Sequence, residues 1–422
     1  MPARHLPIRP DLDQLKHQAK DLLRGVRLGD PDSLAELCEF HPHPPTAETA
    51  RLADAQLALA RSYQAPRWPR LVQACHLIDA IWRNDVEAVR ALVTKRPALL
   101  HEPALVRDSN WGPPLSYAAN LGRDAIIQAL HDLGATDHLH AIERAALQGK
   151  VGTAHLLHEL AGKPAVPAGA LSGSAYTLNV AGTEFALGLG GQVADADGRR
   201  LAPVDVVLET DSRKPSAKHR ILELYAEHGL TLPDTPVMAL HRGRIDLLEQ
   251  HLHHDPGLLR RTFAHSEIYP PEMGCRDPLD ATVGTPLGGT SLLHLCVDYD
   301  EMDILQWLLD RGMDPNLRAR VGPSGFGGYT ALFCTVVSQP NFWMNFNGSR
   351  PMAAPMTALL LERGADPNVR ASLWKRLHPG HGDSARHEYR DVTALLWGRR
   401  FHAPIFVSQP AMQLITEAGG EE

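Results

Sequence analysis

The first apolar pattern along the chain has the 3.6-residue period of an amphipathic helix. Over residues 11–28, apolar side chains recur three or four positions apart, between a proline and a glycine that fit the ends of a helix. Similar but shorter patterns predict a second helix over residues 33–40 and a third over 46–63, capped by Thr46. Together these segments predict a small helical cap at residues 1–70.

Beyond residue 70 the pattern changes to short paired helices. Two signatures of a helix start are each followed after 21 residues by a glycine: Ser291 by Gly312, and Pro113 by Gly134. A spacing shared by segments this far apart indicates a repeat, and a period of about 33 residues with helix pairs indicates a solenoid. We therefore expect an all-α solenoid of about eight repeats over residues 71–420, because no helix pair can bury its own apolar face alone.

The chain departs from this period in several places. Residues 162–200 are rich in glycine, alanine and serine, and are either a decayed repeat or a long insertion. Residues 256–287, 317–328 and 369–391 lie between successive repeats, where we expect long finger loops at the rim of a concave groove. Loops of this length are functional or disordered, and their tyrosine, tryptophan, phenylalanine and arginine content favours recognition.

A further insertion, residues 339–355, interrupts a repeat between its two helices and contains the aromatic run Asn341-Phe342-Trp343-Met344-Asn345-Phe346. The run has two open interpretations. It is a tip that docks a partner, or it folds back over a core face that would otherwise be exposed.

These residues resemble the ankyrin-repeat family. Segment 289–297 is similar to the family's Thr-Pro-Leu-His-x-Ala-Ala inner helix, Leu308-Leu309 to its outer-helix leucine pair, and Gly-Met-Asp-Pro-Asn at 312–316 to its Gly-Ala-Asp-x-Asn turn. The resemblance covers residues 71–420 and implies helix-turn-helix repeats. The block at 1–70 also resembles one that precedes degenerate ankyrin repeats in bacterial proteins.

Composition and charge limit the class of protein, its cellular compartment and its partners. Of the 422 residues, 44% are apolar, which is enough for a core and argues against wholesale disorder. The net charge of −7 argues against a nucleic-acid backbone as the partner. The chain has five cysteines and no CxxC pair, so we expect a reduced, cytoplasmic protein. It has no apolar secretory segment and no apolar run long enough to cross a bilayer, so we expect no membrane binding. We also expect a monomer.

Histidines are the first candidates for chemistry, since the chain has 23 of them. His294 occupies the histidine position of the repeat, where an imidazole usually bonds backbone between repeats, and we interpret it as structural. His378 and His381 have metal-ligand residue types nearby but no spacing that fixes a site. We therefore expect no metal and no cofactor.

An enzyme is the alternative function. The polar content of loops 256–287 and 369–391, Asp277 included, supplies groups for acid–base chemistry, provided that they converge. The candidates are His265, Glu267, His381 and Glu388.

We predict instead an interaction scaffold, with a protein partner in the concave groove and on the finger loops, because a repeat supplies a surface and no chemistry of its own. The predicted binding residues lie at groove-facing and finger positions: Asn110, Trp111, Asn120, Asp298, Tyr299, Phe326, Tyr329, Tyr389 and Arg390.

Overall fold

The computed structural model of the chain describes residues 4, 6–106, 110–165, 170–276, 284–346, 349–378 and 380–422. Within these residues the protein is mostly helical. The chain divides into two compact units, residues 1–166 and residues 167–422, called here the first and the second unit.

The first unit begins with three helices that pack on one another. Asp11 caps the first of them, because its carboxylate accepts hydrogen bonds from the N–H groups of Asp13 and Gln14 at 2.8 and 3.2 Å. That helix ends before Gly29, whose φ of 74° is left-handed. The three helices are α1 (Leu12–Leu28), α2 (Pro31–Phe40) and α3 (Leu52–Ser62).

Helix α3 begins at Leu52, so the prediction that Thr46 caps it is wrong. Thr46 instead forms an isolated turn, in which its carbonyl accepts hydrogen bonds from the N–H groups of Thr49 and Ala50. The helix starts after this turn, where the Asp54 carboxylate accepts a hydrogen bond from the Arg51 N–H at 2.8 Å.

Three helix pairs follow in the first unit: α4 (Trp68–Trp82) with α5 (Val86–Lys95), α6 (Pro114–Leu121) with α7 (Asp124–Asp132), and α8 (His138–Leu147) with α9 (Val151–Leu160). The first members of the pairs contact one another in chain order, and so do the second members. Gly134, one of the two glycines of the repeated spacing, has a φ of 95° and follows α7 as a left-handed turn residue. The partition into a cap at 1–70 and a solenoid at 71–420 stays a prediction.

The second unit holds six helix pairs among its described residues: α10 (Ser172–Tyr176) with α11 (Val180–Gly188), α12 (Val204–Glu209) with α13 (Pro215–Glu227), α14 (Pro236–His241) with α15 (Ile245–His254), α17 (Leu292–Tyr299) with α18 (Met302–Asp310), α19 (Ala331–Val336) with α20 (Pro355–Glu362), and α21 (Ala394–Arg400) with α22 (Gln409–Glu417). A short helix, α16 (His265–Ile268), lies between the third and fourth pairs. Helices α10 and α11 contact each other and the next pair, so the irregular region at 162–200 contains a shortened repeat.

Backbone hydrogen bonds link the successive fingers of the second unit. Two bonds of 2.7 Å join a residue of one finger to a residue of the next: Arg320 N to Gly289 O, and Gly327 N to Ser372 O. A bond of the same length, Phe263 N to Thr290 O, closes the first finger on itself. The fingers therefore support one another side by side, as strands of a sheet do.

The last finger is an antiparallel hairpin of β1 (Ala371–Lys375) and β2 (His387–Val392). Leu373 lies opposite Tyr389 and Trp374 lies opposite Glu388. The all-α expectation is correct for the repeats, but it missed this hairpin, because residues 369–391 were interpreted as a loop.

Two buried ion pairs hold the inner side of the second unit together. Arg213, between α12 and α13, pairs with Asp298 of α17 at 2.9 Å, and the two side chains are 3% and 1% exposed. Lys218 of α13 pairs with Glu301 at 2.8 Å, also out of contact with solvent. Both cations lie over the Tyr299 ring, 4.4 and 4.3 Å from its centroid. Each buried charge thus has a partner of opposite sign, as low-dielectric surroundings require.

Replacing Asp298 with Asn should lower the free energy of unfolding by about 3–5 kcal/mol, because it leaves the Arg213 guanidinium buried without its counter-charge. Urea denaturation at pH 7, followed by circular dichroism, measures this loss. Asp303→Asn makes the same chemical change on the exposed side of α18, and should change stability by less than about 0.5 kcal/mol. Equal losses in the two variants would contradict the role of the ion pair.

His294 joins neighbouring repeats through their backbone. Its Nε2 donates to the carbonyl of Tyr329 at 3.1 Å, and its Nδ1 lies 2.9 Å from the hydroxyl of Ser291 at the start of the same helix. The ring is fully buried, and burial lowers the pKa of His294 to about 4. The structural interpretation of His294 is confirmed.

This burial predicts a pH dependence of stability. The folded-state pKa lies below the ordinary value of about 6.5, so the unfolded chain binds the proton more tightly. The contribution of neutral His294 is complete above pH 6.5 and is lost as the pH falls towards 4. Between pH 7 and pH 5 the wild type should therefore lose about 2 kcal/mol more than His294→Gln in urea denaturation. Parallel losses in the two proteins would show that His294 does not cause the effect.

Candidate functional site

Helices α17 and α19, two inner helices of the second unit, expose no face to solvent. Every residue of these two helices is buried. Tyr269 and Thr285, from the connection between α15 and α17, lie against this side of the unit. The Tyr269 hydroxyl is 3.2 Å from that of Tyr299, Thr285 Oγ1 donates to Val337 O at 2.7 Å, and Trp397 Nε1 donates to Thr285 Oγ1 at 3.2 Å. At these helices the chain itself occupies the side on which a groove was expected.

The aromatic insertion folds back onto the same region. The Asn345 side-chain oxygen accepts a hydrogen bond from the Arg213 N–H at 2.7 Å. Phe342 is fully buried, and its ring stacks on that of Phe406 at a centroid distance of 4.0 Å. Within the aromatic run at 341–346, Trp343 extends outward and is 56% exposed. Of the two interpretations of this insertion, the structure supports a segment that covers the core.

Asp298 and Tyr299 were expected to face a groove, and this expectation is wrong. Asp298 is enclosed with Arg213, and the Tyr299 hydroxyl donates to Leu208 O at 2.9 Å. Both residues are buried. Both residues lie on an inner helix, as the repeat pattern predicts. Their polar groups bind Arg213 and the Leu208 carbonyl of the same unit, and these groups take the place of a ligand.

Asn120 of the first unit and Tyr389 of the second are also internal. The Asn120 side-chain oxygen accepts a hydrogen bond from Arg144 Nε at 3.0 Å. The Tyr389 ring lies edge-on to that of Trp397, and its hydroxyl is 2.7 Å from Nδ1 of His402. Burial lowers the pKa of His402 to about 4, so this imidazole is neutral at pH 7. Both predicted residues hold the fold together rather than face a partner.

Asn110 and Trp111 lie in the loop ahead of α6 in the first unit. Asn110 is exposed, and Trp111 is half-buried with its ring centroid 4.8 Å from that of Tyr117. The preceding residues, 107–109, lie outside the described part of the chain. A binding role for Asn110 and Trp111 stays a prediction.

The hairpin of the second unit presents an exposed face that carries aromatic and charged side chains. Successive residues of a strand point to opposite sides. Leu373 and Tyr389 are therefore buried together, and Trp374, Glu388 and Arg390 share the outer side. We call this surface the finger face, and it consists of Trp374, Arg386, Glu388 and Arg390, together with Phe326 of the neighbouring finger, whose ring is buried under the two arginines.

Two arginines cover the aromatic rings of the finger face. The Arg386 guanidinium lies 4.7 Å from the Trp374 ring centroid and 5.4 Å from that of Phe326, while Arg390 lies 4.5 Å from Phe326. One carboxylate, Glu388, pairs with both arginines at 2.9 and 2.8 Å. Exposed ion pairs of this kind contribute only about 0–1 kcal/mol, so a partner can replace them at little cost.

A cavity of about 520 Å³ lies beside the finger face and shares Phe326 and Trp374 with it. Arg320, Arg376 and His265 bring charged or titratable groups to its wall. Tyr329 lines it as well, fixed by a hydrogen bond of 2.8 Å from its hydroxyl to Pro286 O. A volume of about 300–1,000 Å³ is typical of small-ligand sites. Phe326 and Tyr329 line this cavity but are themselves buried, and Arg390 lies over the Phe326 ring outside the lining, so a binding role for these three residues stays a prediction.

The candidates of the enzyme alternative do not come together. His265 lines the cavity, Glu267 is paired with an arginine at 2.6 Å, and Glu388 belongs to the finger face. His381 lies beside Asp211, 3.7 Å from its carboxylate. Within the described residues, no hydrogen bond or ion pair joins any two of these four candidates. Asp277 is among residues 277–283, which the structure does not describe.

The described ranges also contain no group of three or more histidine, cysteine, aspartate or glutamate side chains placed to hold a metal ion. The same ranges contain no helix that has both the length and the apolar character needed to cross a membrane.

Sequence reasoning missed Trp374, Arg376 and Arg386. No strict alternation indicated them, because residues 371–375 are Ala-Ser-Leu-Trp-Lys and residues 387–392 are His-Glu-Tyr-Arg-Asp-Val, and neither segment has the apolar–polar period of a half-buried strand. Recognition of a hairpin there would have placed Trp374 and Arg390 on one face.

Stacked helix pairs with linked fingers define this chain as a helical repeat protein. The family model described as "Ankyrin repeat" matches residues 288–320, which hold α17 and α18. Residues 288–320 thus match an ankyrin repeat, and ankyrin repeats are protein-interaction modules. A solved structure similar to the chain is the crystal structure of the human ASB11 ankyrin repeat domain, with 15% identity and a TM-score of 0.26 over 73% of this chain and 99% of that chain. No curated protein matches the chain.

Two adjacent aromatic residues test whether the insertion covers the core. Phe342→Ala should lower the free energy of unfolding by about 3–5 kcal/mol, because the ring is fully buried against Phe406. Trp343→Ala removes an exposed ring from the same segment and should change stability by less than about 0.5 kcal/mol. Thermal or urea denaturation of both variants provides the comparison. Similar small losses would mean that the insertion is not packed on the core.

Proposed function

We propose that the protein is an interaction module whose protein partner docks on the finger face of the second unit. One observation carries this proposal: α17 and α19 are buried on every side, whereas Trp374, Arg386 and Arg390 lie together on the outer side of the fingers. Tryptophan and arginine are among the residues that contribute most to binding energy at protein interfaces.

The charge of the fingers favours a partner with an acidic surface. The chain as a whole has a net charge of −7, yet six arginines lie on two neighbouring fingers: Arg318, Arg320, Arg370, Arg376, Arg386 and Arg390. Complementary charge of this kind raises association rates and excludes wrong partners more than it adds affinity. Because the overall charge opposes binding to a nucleic-acid backbone, we favour an acidic protein segment.

The proposal moves the binding surface from the groove to the fingers in the second unit. Asn110 and Trp111 supply a separate contact on the first unit in the same proposal. In the same proposal the protein is cytoplasmic, monomeric and of the bacterial type. Its five cysteines are all free thiols, as is usual in a reducing compartment. No observation favours the enzyme alternative, since its candidate groups do not meet.

Affinity capture followed by mass spectrometry tests the proposal. The wild type is compared with Trp374→Ser/Arg390→Glu, which removes an aromatic contact and reverses one charge on the finger face. Trp343→Ser/Arg260→Glu is the matched control, because it changes one exposed tryptophan and one exposed arginine of the same unit elsewhere. We expect a partner that the control retains and the finger-face variant loses by about tenfold or more, since hot-spot residues contribute at least about 2 kcal/mol.

Nuclease treatment before capture separates protein from nucleic-acid binding. A partner that disappears with nuclease, or one retained equally by all three proteins, contradicts docking on the finger face.

A further inference from the structure

The cavity beside the finger face is built from three separate parts of the second unit. His265 comes from α16, Arg320 from the finger after α18, and Arg376 from the end of β1. The backbone bond from Arg320 N to Gly289 O, at 2.7 Å, fixes the finger that carries the first arginine. Side chains that are distant in sequence but converge on one cavity of ligand size form a candidate site.

We propose that this cavity binds an anionic group, a carboxylate or a phosphate, that is attached to an apolar or aromatic moiety. Under the proposed function that group belongs to an acidic or phosphorylated residue of the docked partner, and this identification of its source rests on that function. The binding chemistry itself requires only the cavity.

The cationic side of the cavity argues for the anion. Arg320 and Arg376 are both exposed, and Lys375 adds a buried ammonium group to the lining. The described residues of the lining include no carboxylate. Arg320 has a weak tether within the protein, a hydrogen bond of 3.3 Å to the Thr262 hydroxyl, which leaves most of its donors available. A guanidinium matches the geometry of carboxylate and phosphate oxygens, and binds them with two parallel hydrogen bonds.

The other walls of the cavity argue for an apolar moiety next to the anion. Phe326, Tyr329 and Trp374 contribute aromatic surface, and Leu373 and Leu377 contribute aliphatic surface. Burial of a ligand's aromatic ring against such walls contributes favourable binding free energy, whereas a small inorganic ion leaves the apolar walls in contact with water. A ligand that combines both parts should therefore bind more tightly than inorganic phosphate.

His265 gives the wall an additional polar group. Its Nε2 atom is buried and has no hydrogen-bond partner among the described residues. A buried polar atom without a partner is unfavourable, and an oxygen of a ligand at this wall is the kind of group that satisfies it.

Isothermal titration of the purified full chain at pH 7.5 tests the proposal without any protein partner. The probes are phenyl phosphate, 3-phenylpropanoate, inorganic phosphate and the neutral analogue benzyl alcohol. We expect one or both phenyl-bearing anions to bind more tightly than inorganic phosphate and than benzyl alcohol. Tighter binding of phenyl phosphate indicates a phosphorylated source, and tighter binding of 3-phenylpropanoate indicates a carboxylate source; both outcomes support an anion site.

The variant Arg320→Gln/Arg376→Gln should bind the more tightly bound of the two phenyl-bearing anions with an affinity lower by about tenfold or more, because it removes two charge-assisted contacts. Arg260→Gln is the control: it removes an exposed arginine of the same unit that is outside the cavity lining, and should bind as the wild type does. Circular dichroism spectra of all three proteins check that the variants are folded. The proposal is overturned if no anion binds, if benzyl alcohol binds as tightly as the anions, or if both variants retain wild-type affinity.

These variants leave Trp374 and Arg390 unchanged. A wild type that captures a partner but binds no anion would overturn the cavity site alone, whereas a wild type that binds the anion but captures no partner would leave the cavity site in place and remove the docking function.

Discussion

The buried ion pair between Arg213 and Asp298 is the interaction on which the inner side of the second unit depends. It joins the connection after α12 to the last turn of α17, and the same arginine donates its backbone N–H to Asn345 of the insertion. Three segments distant in sequence therefore meet at one enclosed charge pair. Such a pair adds little net stability over an apolar contact, but each partner is very unfavourable without the other, so it favours a single arrangement of the segments.

That arrangement decides which surface is left for recognition. In a regular repeat the inner helices present side chains to a groove, but here Tyr269, Thr285 and the insertion at Phe342 occupy this side. The fingers remain outside, linked by backbone bonds and covered by arginines that lie on aromatic rings. Their exposed ion pairs are weak and exchangeable, in contrast to the buried pairs beneath them. The second unit thus has buried ion pairs that fix its interior and, in a different part, exposed ion pairs that contacts with a partner can replace.

Local features of the fold could be predicted from the sequence, and distant contacts could not. The apolar period located α1 within a residue, the spacing of 21 residues located Gly134, and the repeat position of His294 indicated its backbone bond. The partner of Asp298 is 85 residues away, and no local pattern connects the two. Asp298 and Tyr299 were consequently assigned to a groove. For the fingers the failure was different, because residues 371–375 and 387–392 lack a regular period-two pattern of apolar side chains, and the segment that places Trp374 and Arg390 on one side was interpreted as a loop.

The central claim is that the chain itself closes the inner side of the second unit. Amide hydrogen exchange of the protein alone tests it most directly, because exchange rates report whether backbone bonds persist. The account predicts that peptides covering 284–290 and 336–346 exchange slowly, as those of α17 do, since Thr285 N donates to Val337 O and Gly289 N donates to Phe263 O. Rapid exchange of both segments beside a protected α17 would contradict it, and would show that the inner helices are open to a partner.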